Sequence, residues 1–299
     1  MSVLMRSLMF VPGHRQRMID RALGLGEFRP GALDVAMLDL EDGVPPAEKE
    51  SARAAIAASL GRPSNGAGPQ RWVRMNTIGS DRRDADLRAV VRPGLEGLVA
   101  PKVDAPEDVV VLAGILDDLE RPAGLARGTV RIIAAIESGL GLINAYRTAS
   151  ASPRVVGLMF GGEDYALDLG LPALREGEAA ELLFARSSIV NACAAARKLS
   201  FDGVWPDIRD MDGLRVDGLQ SRRLGFSGKS MIHPGQTEII NELFSPSAAD
   251  VDYAARVMRA FDEAQARGDG AVALGGQLLD LPIVERARRT LQLAKALGG

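Results

Sequence analysis

Eight short apolar runs, each separated from the next by a longer stretch, constrain this chain more than any other feature. The runs are SLMFV, DVAMLDL, RWVRMN, GLVAPKV, RIIAAIE, VVGLMF, DGVWPD and GKSMIH. Between them lie amphipathic segments such as PAEKESARAAIAASL and EAAELLFARSSIVNACAAARKL. Alternation of strand and helix marks a parallel sheet, and eight rounds of it predict an α/β fold closed as a (β/α)8, or TIM, barrel. The 299 residues suit such a barrel, typically ~250 residues, with an appendage. After the eighth run the pattern changes. SPSAADVDYAARVMRAFDEAQARG reads as a helix, and GAVALGGQLLDLPIVERARRTLQLAKAL as a turn-rich segment followed by another. We therefore place the barrel in residues 1–244 and a C-terminal helical extension in residues 245–299. GRPSNGAGPQ, residues 61–70, reads as an exposed loop, and no fixed-period repeat suggests a solenoid.

Composition narrows the function classes. The formal net charge of −3 gives no general basic surface for nucleic acid or membrane. No stretch of ~18 uncharged apolar residues suggests a membrane span, and the first apolar run is too short for a signal peptide. The single cysteine, Cys193, excludes a disulfide framework or multi-cysteine zinc site and suits the cytoplasm. On an apolar helix it reads as a packed core residue.

Active sites of such barrels sit where the strands end. The second strand ends in Asp39, Glu41 and Asp42, the third in Arg74 and Asn76, the fourth in Lys102 and the fifth in Glu137. The sixth ends in Gly161, Gly162, Glu163 and Asp164, the seventh in Asp207, and the eighth in Lys229 and His233. Asp39 and Glu41 share a face of their strand, as do Ala135 and Glu137. Clustered carboxylates repel one another unless protonated or bridged by a cation. Oxygen ligands without histidine or cysteine neighbours suit Mg²⁺, with Mn²⁺ as a substitute. Glu137 and Asp164, from adjacent strands, could reach one ion. The alternative is a salt-bridge network of Asp39, Glu41, Arg74 and Lys102 that closes the barrel top. Gly161 and Gly162 either expose N–H groups to a substrate carboxylate or only make a tight turn. In MIHPGQ, His233 reads as a loop-fixing residue rather than a general base.

Together, RSLMFVPG, DVAMLDLEDGVPPAEKESAR, VRMN, APKV, AAIESGLGLINA, GLMFGGEDYALDLG, LGFSGKSMIHPGQ and GGQLLDLPIVERAR resemble the citrate lyase β-subunit-like branch of the HpcH/HpaI aldolase superfamily, which includes malyl-CoA and citramalyl-CoA lyases. They cover nearly the whole chain in order. The resemblance implies an Mg²⁺-dependent carbon–carbon lyase acting on a 3-hydroxy-3-carboxy acyl-CoA, with a 2-oxo acid and a short acyl-CoA as products. It implies metal ligation by Glu137 and Asp164, and oxyanion stabilisation by Arg74. Substrate binding would fall to Arg74, Gly161, Gly162 and Glu163, with support from Asp39, Glu41 and Lys102. Arg15, Arg17 and Arg21 lie near the family's CoA-phosphate region, though they equally suit a solvated helix face. His14 departs from the asparagine common in relatives. Asp280 matches an aspartate donated by a neighbouring subunit, which implies a homotrimer or a multiple of one; it also suits an ordinary helix N-cap before PIVERAR.

Other readings stay open on sequence alone. The chain could be a citrate lyase β subunit acting on a carrier-protein thioester, or a malate-synthase- or thioesterase-like variant. ESGLGLINA could suggest a nucleotide-binding Rossmann turn, although Asn144 replaces its third glycine. A non-catalytic metal-binding scaffold is the remaining alternative.

Overall fold

Seven of the eight apolar runs form strands where the sequence places them, in a computed structural model that describes residues 4–27, 32–63, 68–172, 179–267 and 273–298. The strands are β1 (Ser7–Pro12), β2 (Val35–Asp39), β3 (Gln70–Arg74), β4 (Gly97–Ala100), β5 (Arg131–Ile136), β6 (Val155–Phe160), β7 (Leu199–Asp202) and β8 (Gly228–Met231). All pair in parallel, in sequence order, and β8 returns to β1 to close a TIM barrel. Around it run α1 (Gln16–Leu23), α2 (Lys49–Leu60), α3 (Arg83–Val90), α4 (Pro106–Glu120), α5 (Gly139–Ile143), α6 (Ala145–Ser150), α7 (Gly162–Asp168), α8 (Leu183–Ala196) and α9 (Met211–Leu224), then α10 (Thr237–Leu243).

The exception is β7. The expected strand, DGVWPD, yields to KLSFD just before it: Gly203 and Pro206 interrupt the run, and pairing ends at Asp202. Asp207 lies beyond the strand and is exposed, so it does not join the mouth of the barrel. The Rossmann reading also falls, because the sheet is closed. Gly139–Ile143 is only a short helix, capped by Ser138 Oγ, which accepts the Gly141 N–H at 2.9 Å. Within the expected 61–70 loop, residues 64–67 lie outside the described ones, and Gln70 already belongs to β3.

The barrel interior is apolar. Leu8, Val35, Met37, Trp72, Val99, Ile133, Ala135, Met159 and Phe201 form one buried cluster, with Phe10 packed against it. Fully burying a side chain of this size contributes about 1.5–3 kcal/mol. The alternation that sends these residues inward carries Asp39, Arg74, Glu137 and Gly161 to the C-terminal mouth.

It sends Lys229 the other way. Instead of joining the mouth, Lys229 is buried against the wall, its Nζ 2.9 Å from Asp202 Oδ2, 2.6 Å from Asp217 Oδ2 and 2.6 Å from the Gly203 carbonyl. Arg186 of α8 pairs with the same acids, at 2.7 Å and 3.1 Å. Two cations thus meet two carboxylates in a closed network, and burial of charge requires such pairing. Cys193 is buried on α8, and burial pushes its thiol up to about 12, as suits a packed core residue.

The described chain divides into two compact units, one of them Met5–Asn241 and the other made of Leu4 and the residues from Glu242 onward. The second unit holds α11 (Ala248–Arg267), a short hairpin (Ala273–Leu274 with Gln277–Leu278) and α12 (Leu281–Ala296). Ala254, Val257, Leu279, Val284 and Ala287 form its core. No described helix is long and apolar enough to cross a membrane.

Candidate active site

Asp39 ends β2 beside Arg74, which ends β3, and the two side chains form a bidentate pair. Arg74 donates from Nε to Asp39 Oδ1 and from Nη2 to Oδ2, both at 2.7 Å, while its Nη1 lies 3.0 Å from Glu41 Oε2. Its guanidinium sits 4.5 Å from the centroid of the Phe10 ring. Burial works against this cation, yet Asp39, Glu41 and Glu137 hold its pKa above the usual arginine value. Asp39 has no capacity left for a ligand, since the same two oxygens also accept the N–H groups of Glu41 and Gly43 at 2.9 Å. It is a positioning residue that fixes both the arginine and the loop after β2. Gly43 is required there: a Cβ on it would lie 2.4 Å from Asp39 Oδ2.

A buried chain of polar groups holds that loop from behind. Lys49 donates to the carbonyls of Leu40 and Glu41, both at 2.6 Å, and to Asn76 Oδ1 at 3.1 Å. Asn76 in turn donates to Asp86, at 2.9 Å from its backbone and 2.7 Å from its side chain, and Asp86 pairs with Arg53 at 2.7 Å. Asn76 therefore serves the scaffold rather than the mouth. Sequence reasoning missed Lys49 and Asp86. The available signal was a charge at a buried helical position, since Lys49 shares the inward face of α2 with Ala52 and Ile56.

Lys102 follows β4 in a left-handed backbone conformation, φ 51°. For a side chain other than glycine this costs roughly 1–2 kcal/mol. Its ammonium lies 3.3 Å from Glu41, 3.3 Å from Asp42 and 3.6 Å from Asp164, and these acids raise its pKa against the effect of burial. The salt-bridge network at the barrel top is real, and it coexists with a second feature that it does not neutralise.

That feature is Glu137, one residue past β5. Its Oε2 is buried with no hydrogen-bond partner among the described residues. Burial, with Glu41 and Asp164 nearby, pushes this carboxyl up to about 8 despite Arg74 and Lys102. The side chain is admitted by Gly161, where a Cβ would stand 2.3 Å from Glu137 Cγ. The Gly161 N–H is already donated to the Ile136 carbonyl at 3.0 Å, so this glycine supplies room rather than a substrate-binding amide. Gly162 opens α7, and the first helical bond of that turn is made only by Tyr165, to Gly161 at 3.0 Å.

Glu137, Asp164, Arg74, Gly162 and the exposed Glu163 all line one cavity of about 1130 Å³. It extends to α1, where Met18 and Arg21 contribute. Arg15 is exposed at the start of α1, and Arg17 borders a separate depression with Gln16 and Asp20, so only Arg21 of the three arginines reaches the cavity. His233 also lines it, and its Nδ1 accepts the Gly235 N–H at 3.1 Å, the loop-fixing role read from MIHPGQ. Asp280 belongs to the second unit, where its Oδ1 accepts the Ile283 N–H at 3.1 Å as the N-cap of α12.

The sequence pattern of the HpcH/HpaI aldolase/citrate lyase family matches residues 6–234. The chain belongs to this family. The citrate lyase subunit beta of Haemophilus influenzae is 37% identical over 293 residues, covering 98% of this chain and 98% of that protein. A (3S)-malyl-CoA thioesterase of Cereibacter sphaeroides is 33% identical over 298 residues, covering 98% and 95%. The crystal structure of CitE from Mycobacterium tuberculosis in complex with magnesium, acetoacetate and coenzyme A matches with a TM-score of 0.78 at 29% identity, over 99% of this chain and 100% of that one. As a member of the HpcH/HpaI aldolase/citrate lyase family the chain is an enzyme of the lyase kind.

The site of this lyase fits a hard dication. Among the described residues no group of three or more histidine, cysteine, aspartate or glutamate side chains is arranged to hold an ion. Were Glu137 and Asp164 to hold the ion, they would supply two carboxylates and leave other positions to oxygens of water and substrate, as Mg²⁺ prefers. A pH dependence follows. Glu137 is pushed up to about 8 without metal, so a dication held there would have to displace its proton. Apparent Mg²⁺ affinity is expected to rise about tenfold per pH unit up to that point and then level off. Calorimetric titration between pH 6 and 9 measures it, and Glu137→Gln should abolish the slope.

Proposed function

We propose that this protein is an Mg²⁺-dependent lyase that cleaves, or in reverse forms, a 3-hydroxy-3-carboxy acyl-CoA of the citramalyl-CoA or malyl-CoA kind. The products are a 2-oxo acid and acetyl-CoA, and the protein works in the cytoplasm. The observation that carries this reading is the buried, unpartnered Glu137 Oε2 beside Asp164, in the cavity that Arg74 also lines. In this reading Glu137 and Asp164 hold the ion. Bound there, a dication supplies a Lewis acid to the carboxylate and carbonyl oxygens of the 2-oxo acid. In this reading the amide of Gly162, the first residue of α7, takes the substrate carboxylate. Arg74 faces the oxygen on which charge develops; its Nη2 keeps a second N–H beyond the one given to Asp39, and its Nη1 is paired with Glu41 by charge alone. A fixed cation aimed at developing charge lowers the barrier to breaking the carbon–carbon bond. The released thioester enolate then takes a proton.

The cavity exceeds what a 2-oxo acid needs, which supports a long acyl-CoA whose phosphates reach Arg21. The likeness of LLDLP to the family pattern supports a homotrimer, or a multiple of one, in which Asp280 of one copy serves the site of another. An inactive Asp280→Ala chain reassembled with an inactive Glu137→Ala chain should then regain activity. Mixed oligomers without activity would assign Asp280 to its own chain or to capping alone.

The C. sphaeroides relative raises hydrolysis as a second reading. Product analysis with malyl-CoA, citramalyl-CoA and citryl-CoA, with and without Mg²⁺, separates the two. Acetyl-CoA with a 2-oxo acid supports the lyase; free CoA with an intact hydroxy acid supports the hydrolase.

A further inference from the structure

We infer that Lys49 is a positioning residue for the reaction: its ammonium fixes the Leu40–Glu41 peptide and thereby the aim of the Arg74 guanidinium. The inference rests on the role proposed above for Arg74. It adds a residue that borders a separate depression, with Asn76 and Thr77, rather than the cavity of the reacting groups.

An ammonium stands here where packing alone would favour an apolar side chain. Lys49 shares the inward face of α2 with Ala52 and Ile56 and is 7% exposed. Burying so strongly hydrated a charge is costly unless its N–H groups find acceptors. All three find one: the Leu40 and Glu41 carbonyls at 2.6 Å and Asn76 Oδ1 at 3.1 Å. Asn76 is itself anchored on Asp86, so the third contact ties the ammonium to a fixed point.

The Leu40–Glu41 peptide lies just past β2, whose pairing with β3 ends at Asp39. Lys49 holds its carbonyl, and Asp39 Oδ1 accepts its N–H at 2.9 Å. The same Oδ1 accepts Arg74 Nε at 2.7 Å, so peptide and guanidinium share one carboxylate oxygen. A second route runs through the Glu41 side chain. Its two oxygens are buried and accept no hydrogen bond among the described residues. They meet Arg74 at 3.0 Å and Lys102 at 3.3 Å by charge, which is not directional. The backbone of Glu41 therefore sets where this carboxylate stands, and Lys49 sets that backbone. Without the ammonium the Leu40 carbonyl loses this donor, and both carboxylate partners of Arg74 shift with the peptide.

The test replaces Lys49 with methionine, similar in length but uncharged, in the full chain. Phenylglyoxal attacks an arginine loosened from its carboxylates, and mass spectrometry identifies the modified residue whether or not any acyl-CoA is turned over. Arg74 should react about tenfold faster in Lys49→Met than in wild type, because weaker pairing releases its proton more readily. With citramalyl-CoA and malyl-CoA in saturating Mg²⁺, kcat should fall by about 10²-fold at unchanged KM, the cost of a misplacement transmitted from outside the site. Mg²⁺ affinity, measured by calorimetric titration, should not change, since the ammonium contacts lie at Leu40, Glu41 and Asn76. Combined with Arg74→Lys, the substitution should add little, leaving the double variant near 10²-fold rather than the roughly 10⁴-fold of two independent effects. An unchanged rate of Arg74 modification, a loss that falls on KM or Mg²⁺ affinity instead of kcat, or additive losses in the double variant would overturn the inference. Faster Arg74 modification in Lys49→Met, with no turnover of any acyl-CoA by wild type, would instead refute the lyase reading and leave the placement of Arg74 by Lys49 standing. Lys49→Gln, which keeps N–H donors without the charge, gives the same comparisons if the methionine variant does not fold. Failure of both to fold would assign Lys49 to the scaffold and overturn the inference as well.

Discussion

Replacing Glu137 with glutamine is expected to abolish Mg²⁺-dependent turnover, by more than about 10²-fold, while the protein remains folded. Glutamine keeps the volume that Gly161 admits and removes only the charge. The carboxylate is costly in the metal-free fold, because burial and the neighbouring Glu41 and Asp164 all oppose its ionisation. The sign of the stability effect follows. A carboxyl held near 8 in the folded protein, against an ordinary value of 4.5, binds its proton more tightly when folded. Metal-free wild type should therefore lose stability as pH rises from about 4.5 to about 8 and change little above that. Glu137→Gln should lack this loss and match or exceed wild type in Tm at pH 8 without metal. A variant with normal activity in the presence of chelator would remove Glu137 from the metal site.

Arg74→Lys is expected to lower turnover by roughly 10²-fold or more, comparable to losing one oxyanion-hole donor. Lysine preserves the charge but not the planar fork. It cannot span both oxygens of Asp39 while also reaching Glu41, and it gives up the guanidinium contact with the Phe10 ring. The fall should appear mainly in kcat if, as proposed, the arginine acts on charge that develops during bond cleavage. A near-normal kcat would move Arg74 to the structural network of the barrel top.

The mouth of the barrel was legible in the sequence because strand periodicity is rigid. Once Ala135 and Met37 face inward, Glu137 and Asp39 follow by alternation. The same rule needs a correct strand, and at the seventh it had none. VW in DGVWPD drew the expected strand past its true end at Asp202. At the eighth strand the run was right but the face was not: Ser230 borders the cavity, so Lys229 points to the wall, where it neutralises Asp202 and Asp217. Lys49 was hidden for another reason. Two of its three partners are backbone carbonyls, which every residue carries and no motif displays. The role of Gly161 was visible only in part: a glycine pair signals close approach, but what approaches is the Glu137 side chain rather than a ligand oxygen.

The central claim is that a carbon–carbon bond is broken through a thioester enolate at the Glu137–Asp164 site. The most direct measurement is the cleavage of citramalyl-CoA and malyl-CoA in D₂O with Mg²⁺, the products being followed by mass spectrometry. The account predicts one 2-oxo acid for each acetyl-CoA, one deuterium in the acetyl methyl group, and neither product when Mg²⁺ is chelated. Free CoA with an intact hydroxy acid, or turnover that persists under chelation, would contradict it.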